Sequence, residues 1–157
     1  MRPNRDEIFL KMAQLVAQRS TCWRRNVGCI LVNKRGHVLA TGYNGVASGM
    51  PHCNEENKCP GANSPSGTNL DGCEAIHAEE NALLQCHNVH EIDTCYCTTS
   101  PCFSCIKKLM NTSCKRIVFL DLYPHTKSQG LWKRVPDHEW VWYDHNPNSS
   151  LLGQKDD

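Results

Sequence analysis

A chain of 157 residues is long enough to bury one continuous core and too short for two, so a single active or binding centre is expected. With 17 Lys and Arg against 16 Asp and Glu, the formal charge of +1 excludes a general electrostatic pull toward nucleic acid or an anionic membrane and leaves any anion site to local placement. Eleven cysteines are an odd count, and the amino-terminal MRPNRDEIFL has no apolar core of signal-peptide length. A cytoplasmic protein is therefore expected, with cysteines serving as metal ligands or core thiols, and no apolar run approaches a membrane span.

In chain order, Asn4 can cap a first helix with Glu7 three positions on, and Ile8, Met12, Leu15 and Val16 recur at helical spacing as far as about Arg19. Residues 27–32 (VGCILV) and 37–43 (HVLATGY) flank NKRG and predict an antiparallel hairpin with Gly36 at the turn. Residues 44–73 are rich in Gly, Pro, Asn and Ser with almost no periodicity, which predicts a long loop. A helix over 74–86, a strand over 92–99, a helix opening at Cys102, a strand over 116–120 and a final edge strand over 139–144 follow. The alternation predicts one α/β domain over residues 1–157: a partly parallel sheet with helices on its faces, attached to the hairpin. The tail, residues 146–157, is polar enough to be loose.

The chemistry concentrates in EAIHAEENALLQC and TTSPCFSC. Cys102 and Cys105, three apart at a helix start, lie on one helical face, so both sulfurs can reach one ion. With His77 they make three zinc ligands and leave the fourth tetrahedral position open, the layout of a catalytic site. Helix amino termini favour thiolate over thiol, and both ligand clusters open helices. The partner carboxylate is ambiguous from periodicity: Glu80 falls beside His77, whereas Glu79 lies about 200° around the axis.

His77-Ala78-Glu79 with Pro101-Cys102-Phe103-Ser104-Cys105 matches the H-x-E…P-C-x-x-C signature of zinc deaminases, in which the Glu is not a ligand. The signature thus selects Glu79. Together with RSTCWRRNVGCILV, GYNG and IHAEENALL, it makes the chain resemble the zinc-dependent cytidine and deoxycytidylate deaminase superfamily from the first helix to about Tyr123. GYNG before a long cysteine-bearing loop is similar to the deoxycytidylate branch. Cytidine deaminases typically carry Cys at the position of His77, and tRNA adenosine deaminases lack the loop cysteines.

The resemblance implies a three-layer α/β/α fold, with a mixed five-stranded sheet between helices. It implies hydrolytic deamination of dCMP to dUMP and ammonia, feeding thymidylate synthesis, with a zinc-activated water attacking C4 and Glu79 moving the protons. Asn44 resembles the family's sugar-contacting Asn, and Tyr123 its aromatic that packs on the pyrimidine. Arg24, Arg25 and Asn26 are candidates for the 5′-phosphate, although adjacent basic residues are often only solvated. The resemblance also implies a homo-oligomer, commonly a hexamer, with dCTP and dTTP as effectors and Mg²⁺ accompanying a nucleotide; Gln85 and Asn88 do not match the effector-interface pair of some relatives.

Cys22, Cys53, Cys59 and Cys73 fall in predicted loops and suit a second, closed structural zinc that would hold a loop poor in apolar side chains. Cys22 and Cys53 match ligand positions of some family members, with His52 as the substitute ligand, and free thiols are the alternative. Cys29, Cys86, Cys95, Cys97 and Cys114 fall in elements and are expected to be core thiols. Two other functions stay open on the sequence: a deaminase of another cytosine or guanine compound, and a non-catalytic zinc module.

Overall fold

In the computed structural model, residues 2–22, 25–52, 74–124 and 127–143 are described. Helix α1 (Arg5–Ala17) is followed by strands β1 (Gly28–Val32) and β2 (Val38–Tyr43), helix α2 (Ala78–Gln85) and strand β3 (Thr94–Thr99). Helix α3 (Phe103–Met110), strand β4 (Arg116–Asp121), helix α4 (Ser128–Trp132) and strand β5 (Glu139–Trp142) complete the order. As expected, the Asn4 side chain caps α1, its Oδ1 accepting from the Glu7 N–H at 2.8 Å. Gly36 makes the hairpin turn with φ of 83°, a left-handed conformation that only glycine adopts without steric cost.

The five strands lie in the order β2-β1-β3-β4-β5. β1 is antiparallel to β2 and to β3, while β3, β4 and β5 are mutually parallel neighbours. β2 and β3 therefore run the same way on either side of β1, and their carboxyl ends share one end of the sheet with the start of β1. β1 and β3 are buried along their whole length, because helices cover both faces of these central strands.

One face packs against α1, through Phe9, Leu10 and Ala13 over Ile30, Val32, Tyr96 and Val118. The other packs against α2, α3 and α4, through Ala82, Ile106, Leu109 and Trp132 over Cys29, Cys95, Cys97, Ile117 and Phe119. This is the expected three-layer α/β/α architecture. α2 sits unusually close to the sheet: a Cβ at Gly42 would collide with the Ala78 carbonyl oxygen and the Ala82 nitrogen, so glycine there permits the approach.

The sequence reading overran some elements and missed one. The predicted 74–86 helix begins only at Ala78, because Ile76 bridges to Gly45 and His77, the cap, has extended backbone. α4 was not anticipated; at five residues it is too short to display a helical period. Cys29, Cys95, Cys97 and Cys114 are buried core thiols as expected, while Cys86 is only partly buried. No described helix is long and apolar enough to cross a membrane.

Candidate active site

The sheet topology brings the two chemically marked segments together. α2 follows β2 and α3 follows β3, so both helices present their amino termini at the same end of the sheet, where α/β folds place ligand sites. His77 is the N-cap residue of α2, with φ −67° and ψ 153°, and Cys102 is the N-cap residue of α3, with φ −72° and ψ 169°. His77 Nδ1 lies 3.2 Å from Cys105 Sγ and 3.4 Å from Cys102 Sγ, and one donor atom from each of the three residues falls within 4.8 Å of the others. One imidazole nitrogen and two sulfurs at that separation fit a single tetrahedral zinc with one direction left open.

The electrostatics suit the same use. Cys102 is drawn down to about 4, first by its hydrogen bond from Cys105 and then by His77, against the resistance of burial. The thiolate, the form that binds metal, is thereby favoured. Hydrogen bonding to Cys102 pushes His77 up to about 9. Cys105 is pushed up by its hydrogen bond to Cys102 and by burial.

The two glutamates take different places, and the reason is that His77 lies outside the helix. A cap residue has extended backbone, so counting 100° per residue from His77 does not apply. Glu79, in the first turn, turns inward and is 4% exposed, in hydrogen-bond contact with Cys105. Burial pushes its carboxyl up to about 7. Glu80 turns back instead: its Oε1 accepts from the His77 backbone N–H at 3.1 Å, and its Oε2 pairs with Lys108 Nζ at 2.9 Å. Glu80 is thus a cap of α2 and a link to α3.

Of the other expected site residues, Asn44 is buried at the end of β2. Its Oδ1 accepts from the Val27 N–H at 2.8 Å and from Ser20 Oγ at 2.5 Å, and its Nδ2 donates to the Arg25 carbonyl at 2.5 Å. Most of its amide is therefore used to fix the segment before β1. That segment carries Arg25, whose guanidinium carbon lies 5.5 Å from the centroid of the Tyr123 ring. Arg25 Nη1 is buried with no hydrogen-bond partner. Tyr123 is held by its own N–H, which donates to Ser100 Oγ at 2.6 Å, immediately before the Pro-Cys of the metal motif. Asn26 and His52 are exposed. Arg24, Cys53, Cys59 and Cys73 lie outside the described residues; Cys22 is partly buried, its N–H donating to Ser20 Oγ at 3.2 Å.

Ser20, Ser100 and Lys108 escaped the sequence reading. No spacing in the sequence marks them, since each acts on a partner brought near only by folding. A second thiol group, Cys29, Cys95 and Cys97, also has its sulfurs within 4.8 Å of one another. These are wholly buried beneath α2 and α3, and burial together with mutual hydrogen bonding holds Cys95 and Cys97 protonated: the bond to Cys29 leads for Cys95 and burial for Cys97.

An open three-donor centre beside a buried carboxylate is the donor set of a metal site that keeps one coordination position free. Residues 3–121 match the family model described as the cytidine and deoxycytidylate deaminase zinc-binding region, and the chain belongs to that family. It is 44% identical over 134 residues to the deoxycytidylate deaminase of Schizosaccharomyces pombe, a match covering 81% of this chain and 41% of the yeast protein. The chain thus spans about two-fifths of that relative's length. It is 38% identical to the deoxycytidylate deaminase of Mycobacterium phage D29, covering 75% of this chain and 95% of the phage protein. In three dimensions it resembles the dCMP deaminase of cyanophage S-TIM5 solved with dCMP and dUMP, with a TM-score of 0.71 and 30% identity, covering 90% of this chain and 98% of the other.

Proposed function

We propose that this protein catalyses the hydrolytic deamination of dCMP to dUMP and ammonia, with His77, Cys102 and Cys105 as zinc ligands and Glu79 as the proton carrier. The observation that carries the reading is the placement of a 4% exposed carboxylate against a His/Cys/Cys donor set whose atoms converge within 4.8 Å. Zinc held by these side chains supplies a water activated for attack at neutral pH. Glu79 would take a proton from the attacking water and deliver it to N3 of the pyrimidine as the C4–O bond forms, then carry the proton of the new C4 hydroxyl to the amine nitrogen, so that the C4–N bond breaks to release ammonia and leave the C4 carbonyl. Its burial excludes bulk water from the transfer and keeps the acid and base forms of the carboxyl accessible near neutrality.

For the substrate, the relatives named dCMP deaminases point to a nucleoside monophosphate. The supporting feature in this chain is Arg25, aligned on the Tyr123 ring with a buried, unpartnered N–H group suited to a phosphate oxygen. Arg24 and Asn26 complete the proposed phosphate contacts, Asn44 the sugar contact, and Tyr123 the aromatic wall. The Cys22, Cys53, Cys59 and Cys73 set is proposed as the second, structural zinc site. An oligomeric, cytoplasmic enzyme under dCTP and dTTP control, with Mg²⁺ on the nucleotide, belongs to the same proposal; the exposed Leu15 on α1 and Leu84 on α2, at 65% and 72% and on opposite faces of the sheet, support burial of apolar surface in an assembly.

The test is ammonia release by the zinc-loaded protein from dCMP, deoxycytidine, CMP, cytosine and guanine. Turnover of dCMP far above deoxycytidine is expected. Equal rates on nucleotide and nucleoside, or preference for a free base, would overturn the substrate assignment, and no turnover on any of them would overturn the enzyme reading.

A further inference from the structure

Glu80 and Lys108 form a connection between the two helices that carry the metal-binding side chains. Glu80 Oε1 accepts the His77 N–H at 3.1 Å, and its Oε2 receives Lys108 Nζ at 2.9 Å. The same ammonium donates to Ser104 Oγ at 3.0 Å, within the Cys-x-x-Cys segment itself. Lys108 therefore holds three parts of the centre in one register: the backbone of His77, the first turn of α2 and the first turn of α3. Nothing in α2 alone fixes its distance from α3, because the thiols belong to a different strand-helix unit from the imidazole. A fixed spacing of the donors is what a tetrahedral ion requires, and groups that orient ligands control how tightly the ion is held.

We propose that Lys108, acting through Glu80, is a positioning residue that sets the α2–α3 spacing and thereby the retention of zinc at His77, Cys102 and Cys105. Its contribution is to metal binding and not to proton transfer, so the chemistry per bound zinc is independent of it. This inference rests on the proposed metal ligands, and its test separates the two.

The experiment measures zinc release from the fully loaded protein to a chromogenic chelator in excess, for the unmodified chain, Lys108→Ala, Lys108→Arg, Glu80→Gln and the double variant Lys108→Ala/Glu80→Gln. Lys108→Ala is expected to release zinc roughly two- to five-fold faster, the effect of a partly exposed ion pair. Lys108→Arg should restore most of the retention. The double variant should release no faster than the faster single variant, since both changes break one connection. Turnover per bound zinc should be unchanged in Lys108→Ala. Lys107→Ala, on the same helix with its ammonium over the Phe103 ring, is the control and should release zinc at the unmodified rate.

An unchanged release rate in Lys108→Ala overturns the proposal, as does equal acceleration by Lys107→Ala. Equal loss of melting temperature in the zinc-free and zinc-loaded forms of Lys108→Ala, with no change in release, would make the pair merely structural and also overturn it. An unmodified protein that binds no zinc at this site would instead overturn the ligand assignment.

Discussion

Replacing Glu79 by Gln isolates the carboxylate's chemistry from its volume. The side chain is 4% exposed and packed against Cys105, so an isosteric amide fits the same space and leaves His77, Cys102 and Cys105 where they are. What disappears is the ability to accept and return a proton. Positioned acid–base groups contribute roughly 10²- to 10⁴-fold, or about 2.7–5.4 kcal/mol at 1.36 kcal/mol per decade. In the proposed mechanism one carboxyl serves both the attack and the departure of ammonia, so the loss is expected toward the upper end. Folding should not suffer: burial disfavours the ionised form and raises the carboxyl from its ordinary 4.5 to about 7, and a neutral amide escapes that cost. The assay is ammonia release from saturating dCMP, paired with elemental analysis and a melting curve for each preparation. A fall of less than ten-fold with zinc content intact would refute the assignment of Glu79 as proton carrier. Loss of zinc in the variant would show that the carboxylate acts as a ligand instead.

Arg25→Ala should lower kcat/KM for dCMP by about 10- to 150-fold, the equivalent of one charge-assisted contact of roughly 1.5–3 kcal/mol, with little change for deoxycytidine; steady-state kinetics on both substrates reads the difference. In the Asp6 network, Oδ1 accepts from Tyr96 Oη at 2.6 Å and from Arg116 Nη1 at 3.1 Å, while Oδ2 accepts from Arg116 Nη2 at 3.0 Å. Burial raises the Asp6 carboxyl, but these bonds outweigh it and leave the group below its ordinary value of 3.8. Its stabilisation is therefore present above pH 3.8 and lost as pH falls through the lower folded value. Asp6→Asn should accordingly cost about 1–2 kcal/mol at neutral pH and progressively less in acid, so that the two melting curves converge, and a constant gap down to strong acid would contradict the linkage. Elemental analysis should find about two zinc ions per chain, falling by one in Cys59→Ser with the catalytic zinc retained; one ion per chain, unchanged by that substitution, would remove the second site.

Much of this protein was legible in one dimension because its signals are local. Asn4 and Glu7 mark the start of α1, Gly36 marks the hairpin turn, and the continuous apolar runs of β1 and β4 mark strands buried on both faces. The His-x-Glu and Pro-Cys-x-x-Cys spacings likewise name the three donors that the fold brings within 4.8 Å of one another, since the ligand chemistry of zinc admits few residue types. The family membership follows from those same residues. What spacing misjudged was the pair of glutamates. Periodicity set Glu80 beside His77, yet His77 is a cap with extended backbone, and only the folded chain shows Glu79 turned into the interior and Glu80 turned back to the cap and out to Lys108. The tertiary structure also decided that Asn44 spends most of its amide on residues 20–27 and that Arg25 lies over Tyr123. Those contacts join residues 17 to 98 positions apart, and they exist because β2 and β3 run parallel on either side of β1. That topology gathers two helix starts and the entry to β1 at one end of the sheet, and strand order depends on packing across the whole chain, which no local spacing encodes.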